Sequence, residues 1–302
     1  KSLKILFKKG KKSFPSSYPA SYYYGVWLRH LVVAHNHGFC LPRKVAELGP
    51  GNSLGVGICA LLSGTENYYA FDVTFNRKAR KRNIELFFEI LRLFRERSPI
   101  PDEKEYPDLK PRLPNYDFPS NILTDEILEN SLTFPRLEKV FQGLFNLSMN
   151  KKEDHFSYFV PWYEANLLEE ESLDMVFSQA AMEHVSDLNM TYKLIYPWLK
   201  KGGFMSHQID YKSHGTSDKW YGHWTYSETL WKIIEYPYLY LLNRKPHSYH
   251  VELQGKIGYN IVTEIPHIDN EVAMRSEFSS KFKENLTNDD LKTSSGFILS
   301  TK

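Results

Sequence analysis

The stretch His207-Gln-Ile-Asp-Tyr-Lys-Ser-His214 carries the densest acid–base chemistry in the sequence, and His223-Trp224 and Asn243-Arg-Lys-Pro-His247 follow it closely. An imidazole titrates near neutrality, which suits it to taking a proton from an acceptor group. A carboxylate beside it fixes the tautomer and raises the basicity. These residues therefore predict a catalytic group of His207 as general base, with Asp210 or His214 orienting or assisting it. The same His207, Asp210 and His214 are also the donor types that hold Zn²⁺ or a similar ion. Their spacing matches no recognised metal motif, so no metal is expected. Trp220, Tyr221, Trp224 and Tyr226 lie nearby and offer a stacking wall for a sugar-like ligand, or core.

A second group of residues suits the binding of a nucleoside. In Val45-Ala-Glu-Leu-Gly-Pro-Gly-Asn-Ser-Leu-Gly55, an apolar strand runs into a glycine-rich turn and then a helix. Gly49 and Gly51, on either side of Pro50, let the backbone pass where a Cβ would clash. Asn52 and Ser53 are natural caps for the helix that follows, whose free N–H groups would face a ligand. Glu47, at the strand end, is placed to bind the ammonium of an amino acid. Asp72, followed by Val73, ends the next strand, where a carboxylate accepts the two hydroxyls of a ribose. Alone, such a turn suits a nicotinamide dinucleotide equally well.

Two further segments separate the cases. Ser172-Leu-Asp-Met-Val-Phe-Ser-Gln-Ala-Ala-Met-Glu-His-Val185 and Trp198-Leu-Lys-Lys-Gly-Gly-Phe204, in order and spacing after the turn, resemble the corresponding blocks of class I S-adenosylmethionine-dependent methyltransferases. The resemblance covers the sheet from about Lys44 to Asp210. It implies S-adenosyl-L-methionine as cofactor, with Glu47 on its amino group, Asp72 on its ribose and the Gly49–Gly51 turn against its methionine part. Val73, Ser178 and Gln179 would also border the cofactor, and Trp162, in the loop where adenine usually lies, would stack on the ring. Ser53 stands where the family has its third glycine, and Lys201 where it has proline. Glu183-His184 is a frequent pair in the family, and a packing or helix-orienting role is expected of it. The later histidine-rich segment resembles a poorly characterised bacterial group associated with surface-polysaccharide and other glycan biosynthesis. That likeness implies O-methylation of a small or glycan-like hydroxyl acceptor. N-methylation of an amino sugar or small amine, or a catalytically silent cofactor-binding protein, are the alternatives.

Positioning these groups requires a doubly wound, Rossmann-like α/β sheet whose final strand is antiparallel. Strands are predicted at Lys44–Leu48, Tyr68–Val73, Phe156–Val160, Asp174–Ser178, Phe204–Asp210, Tyr259–Glu264 and Gly296–Thr301. Helices are predicted at Tyr22–His37, Leu54–Leu62, Arg77–Arg97, Asp125–Ser131, Pro135–Phe145 and Leu188–Leu199, the last ended by Gly202-Gly203. Arg77–Arg97 places Ile84, Phe87, Phe88, Leu91 and Phe94 on one face. Six prolines between Pro99 and Pro119 exclude regular structure there. One methyltransferase domain over residues 44–302 is thus expected after an N-terminal helical segment, 1–43. Within it, residues 77–152 form an insertion capping the sheet, and residues 211–258 form an aromatic substrate region.

Bulk properties narrow the partners. A net charge of +2 from 38 basic and 36 acidic residues lacks the basic excess of a nucleic-acid binder. No apolar run reaches the ~20 residues needed to span a bilayer. Cys40 and Cys59, each among apolar neighbours, read as small buried thiols. The lysines around Leu3–Phe7 form a basic start suited to a solvated tail, or to brief contact with an anionic surface. A cytoplasmic setting is expected, and the oligomeric state is not legible.

Overall fold

The computed structural model describes residues 18–75, 80–147, 155–164, 167–236, 238 and 240–302. The basic N-terminal stretch and both ends of the expected insertion lie outside them. In chain order the main elements are α1 (Ala20–Asn36), β1 (Lys44–Leu48), α2 (Gly55–Leu62), β2 (Asn67–Phe71), α3 (Arg80–Arg95), α4 (Asp125–Ser131) and α5 (Phe134–Asn146). They continue with β3 (Phe156–Phe159), β4 (Leu173–Gln179), α6 (Leu188–Trp198), β5 (Leu199–Asp210), α7 (Glu228–Glu235), α8 (His247–Ile257), β6 (Asn260–Ile268), α9 (Ser280–Asn285) and β7 (Thr293–Thr301).

The seven strands form one sheet in the order β3-β2-β1-β4-β5-β7-β6. The first five are parallel, and β7 runs antiparallel between β5 and β6. This is the doubly wound, Rossmann-like sheet expected from the sequence. Alternation along the strands feeds two cores. Val45, Tyr68, Phe177 and Phe204 pack toward α1, α2 and α3, whereas Ala46, Phe71, Val176 and Ile209 pack toward α6. Strand order reverses between β1 and β4, which opens a crevice beyond their carboxyl ends.

Helix α1 has 12 of its 17 residues buried, because the sheet covers one side and the proline-rich segment another. Arg29 joins the two. It is 1% exposed, and its guanidinium donates to the carbonyls of Gly25 (3.0 Å), Pro101 (2.6 Å) and Pro111 (3.1 Å). Prolines bring no N–H of their own, so a five-donor side chain is an apt filler for such a segment. The same segment reaches the carboxyl end of β5, where Asp108 lies 3.7 Å from Lys212. The helices α4 and α5 sit elsewhere. Arg136 of α5 donates to the carbonyls of Leu61 and Thr65, just before β2 begins, so these helices pack at the amino edge of the strands. Of the described insertion, the proline-rich part and the start of α3, through Asn83 at Leu54, approach the carboxyl-end crevice.

Several sequence expectations need correction. Gly202 and Gly203 do not end α6, which stops at Trp198. They lie within β5, where the pairing jumps from Leu173↔Leu199 to Met175↔Phe204. The Lys200–Gly203 stretch therefore bulges from the ladder. Phe88 is 58% exposed, because the buried face of α3 runs instead through Asn83, Leu86, Phe87, Ile90, Leu91 and Phe94. Cys40 is exposed, and only Cys59 is buried. Trp220, Tyr221 and Trp224 form no open wall: all are at most 8% exposed and pack with Phe278 and Phe282 in a third small core. Tyr226 is half-buried, stacked on Trp231, and donates its hydroxyl to the Thr216 carbonyl. Among the described residues, no helix is long and apolar enough to cross a membrane.

Candidate functional site

The crevice between β1 and β4 begins with the glycine turn. Gly49 and Gly51 adopt φ of 69° and 67°, a region that favours glycine. A Cβ on Gly49 would stand 2.8 Å from that of Ala181, so the turn after β1 touches the loop after β4. Gly51 has nothing within 4 Å of its Cβ position, and it and Gly49 are exposed while Pro50 is half-buried.

Glu47 lies just below this turn and is 3% exposed. Burial pushes its carboxyl up to about 8, and a hydrogen bond from the Tyr68 hydroxyl offsets only part of that effect. Tyr68 reaches it by lying across Gly57, where a Cβ would come within 2.3 Å of the ring. Asp72 closes the other side. Its Oδ1 accepts from Val73 N (2.7 Å) and Thr74 N (3.2 Å), and its Oδ2 from Gly51 N and the Tyr158 hydroxyl, both at 3.2 Å. Burial outweighs these bonds and raises its pKa. Two amides at the start of α2, those of Leu54 and Gly55, already have side-chain partners. Asn83 Oδ1 accepts from Leu54 N, and the Ser53 hydroxyl accepts from Gly55 N, so Ser53 ties down the first helical amide although Leu54 occupies the N-cap position.

The rest of the expected cofactor set divides. Val73 is 37% exposed at the crevice rim. Gln179 is half-buried at the end of β4 and turns toward His30 under α1. Ser178 is wholly buried, with its hydroxyl 2.8 Å from His207 Nδ1. Trp162 is 7% exposed and stacks on Phe71 at 5.9 Å, so one face of its ring belongs to the α6-side core.

The acid–base residues separate more sharply. His207 is 0% exposed, points to the α6 side near Tyr192, and has its pKa lowered by burial to about 3. Asp210 lies three positions further along the same strand, hence on the opposite face. The structure thus does not bring His207 to Asp210 and His214. It does join the latter two, with His214 Nε2 3.3 Å from Asp210 Oδ2. Burial alone would raise Asp210, but His214 and the Lys212 amide outweigh it and hold its pKa below the ordinary range.

His214 meets a pair that the sequence assigned to packing. The His184 ring lies 5.1 Å from that of His214, and its Nδ1 donates to the Tyr240 carbonyl at 2.9 Å. Glu183 is 3% exposed and neither carboxylate oxygen makes a hydrogen bond of normal geometry, although the Asp210 amide is near. Burial, then the Asp210 charge, push its pKa well up. His223, 2% exposed, adjoins this group, and burial lowers its pKa to about 3. Asn243 clamps the turn that presents Glu183 and His184, donating to the carbonyls of Met182 and Val185 at 2.8 and 2.9 Å. The Glu-His dipeptide was the available signal for this cluster. Nothing local marked Asn83 or Tyr68, and the Asn243–His247 segment gave no sign of the clamp, because these roles depend on contacts 21 or more residues away.

No protein-family model matches the chain, and no curated protein matches it. Among solved structures, it is similar to a protein of Galdieria sulphuraria assigned provisionally as a sarcosine dimethylglycine methyltransferase. The identity there is 14% over 91% of this chain and 84% of that one, with a TM-score of 0.49. It is also similar to phosphoethanolamine N-methyltransferase 2 of Haemonchus contortus in complex with S-adenosyl-L-methionine. There the identity is 15% over 91% of this chain and 52% of that one, with a TM-score of 0.44.

Proposed function

We propose that the chain is a class I S-adenosyl-L-methionine-dependent methyltransferase acting on a small or glycan-like hydroxyl acceptor. One observation carries the reading: Glu47 is a buried carboxylate with a raised pKa, set at the end of β1 beneath an exposed glycine turn at the strand-order reversal. A buried acid of this kind gains most from a cation brought to it, and the ammonium of the cofactor's methionine part is such a cation. Asp72 on the adjacent strand end would take the ribose hydroxyls, which would share it with, or displace, Gly51 N–H and Tyr158. The cofactor supplies a methyl group on a positively charged sulfur.

The acceptor side falls to Glu183, His184, Asp210 and His214, grouped beyond β4 and β5. When the acceptor oxygen bonds to the methyl carbon, the carbon–sulfur bond breaks and S-adenosylhomocysteine departs. The hydroxyl proton then passes into this cluster. His207 is left with the task of holding β5 to Ser178 of β4.

The test is donor turnover with extracts and nucleotide sugars as acceptors, followed by mass spectrometry. The reading predicts formation of S-adenosylhomocysteine matched by a product heavier by one methyl. His214→Ala should lower this turnover roughly a hundredfold or more with cofactor affinity unchanged. Cofactor binding without product across the whole acceptor panel would favour a silent binding protein.

A further inference from the structure

We infer that Glu183, His184 and His214 form a binding site for one divalent transition-metal ion. One ligand atom from each of the three residues lies within 4.8 Å of the other two, the compactness that a single ion needs to draw in all three. Two imidazoles and one carboxylate are the donor set of catalytic zinc and of non-haem iron sites, and are too rich in nitrogen for magnesium or calcium.

The independent observation is Glu183 itself. Its carboxylate is buried and aimed into the group, and neither oxygen has a hydrogen bond of normal geometry. Leaving such a group without a partner costs several kcal/mol, so it calls for a proton or a cation. Asp210 brings a second carboxylate to the same place, 3.3 Å from His214. A cation satisfies both.

The outer contacts have the form of a metal site. His184 donates its Nδ1–H to the Tyr240 carbonyl, which fixes the tautomer that leaves Nε2 free to bind. His214, in the cluster, and Tyr240, bonded to His184, have φ of 47° and 61°, a strained region for residues other than glycine. Such strain persists where surrounding structure over-determines a site. Three protein donors leave coordination positions open, and an oxygen of the acceptor would occupy one of them.

The inference extends the acceptor side of the proposed function, but its readout requires no methyl transfer, so either can fail alone. The full chain, stripped with a chelator, is titrated with Co²⁺ as the probe and followed by visible absorption. One equivalent should bind with d–d bands that Zn²⁺ abolishes. Glu183→Gln, which keeps the side chain's volume, and His214→Asn should each weaken binding tenfold or more. The double variant His35→Ala/His37→Ala, removing histidines near the end of α1, should bind as the parent does. Circular dichroism identifies any variant that fails to fold, and the other then decides. Absence of saturable binding at one equivalent would overturn the site, as would binding retained in every folded site variant or lost with His35 and His37.

Discussion

At the scale of single residues, protonation state decides what each group does. In the free protein Glu47 has a pKa of about 8, so at pH 7 it is mostly protonated. An ammonium placed beside it favours the ionised form, and binding must then release a proton. We predict that S-adenosylhomocysteine binding at pH 7 releases up to one proton, seen by calorimetry in buffers of different ionisation enthalpy. Affinity should rise with pH toward about 8. The stability effect has the opposite sign: a carboxyl whose folded pKa is raised stabilises the fold while protonated, and this is lost as pH rises through the folded value. Glu47→Gln should therefore bind the ligand at least tenfold more weakly yet melt higher than the parent at pH 8.

His207 makes the complementary case, because its type and position suggested catalysis while its burial points to packing. His207→Ala should destabilise the fold by about 1–3 kcal/mol, the cost of leaving Ser178 without its partner, with near-normal turnover in the folded fraction. Thermal melting and initial rates, measured on the same sample, check this. A folded but inactive variant would restore His207 as the base. The separation of His207 from Asp210 was legible in the sequence, since residues 207 and 210 on one strand must face opposite ways.

At the scale of elements, the strands of the crevice were readable because parallel buried strands are short apolar runs closed by turn residues. Lys44–Leu48 agrees end for end, and the final antiparallel strand was expected. The Lys200–Gly203 bulge was not, because glycines that end a helix and glycines that bend a strand look alike in sequence. The role of the insertion was less legible still, because a helix's amphipathic face does not say which edge of a sheet it covers. With α4 and α5 at the amino edge, the proline-rich segment and the start of α3 are the parts of the insertion that lie toward the crevice. Arg29 of α1 donates to two carbonyls of the proline-rich segment, beside the hydrogen bonds of Ser21 of α1 with Glu105 and Tyr106. Arg29→Met should speed amide hydrogen exchange across residues 99–119 and cost a few kcal/mol, since unpaired buried carbonyls cost ~1–3 kcal/mol each. Unchanged exchange there would mean the prolines hold the segment without the guanidinium.

At the scale of the whole molecule, the sheet order brings together residues that are far apart in sequence. Glu47, Asp72, Glu183 and His214 come from four separate strand ends or the loops after them, all beyond the carboxyl edge. The half proposed to hold the cofactor was visible because a glycine turn concentrates part of its signal within eleven residues, and the Ser172–Val185 and Trp198–Phe204 segments supply the rest. The acceptor half was visible only as residue types, since its grouping depends on the loop after β4 meeting the loop after β5. We propose that the Glu47–Asp72 crevice holds S-adenosyl-L-methionine, and calorimetry can show this with a single ligand pair. S-adenosylhomocysteine should bind at one site per chain and NAD should not bind. Asp72→Ala should weaken the complex by at most a few kcal/mol, on the order of a lost pair of hydrogen bonds to a charged acceptor. Tight NAD binding with no response to S-adenosylhomocysteine would contradict the account.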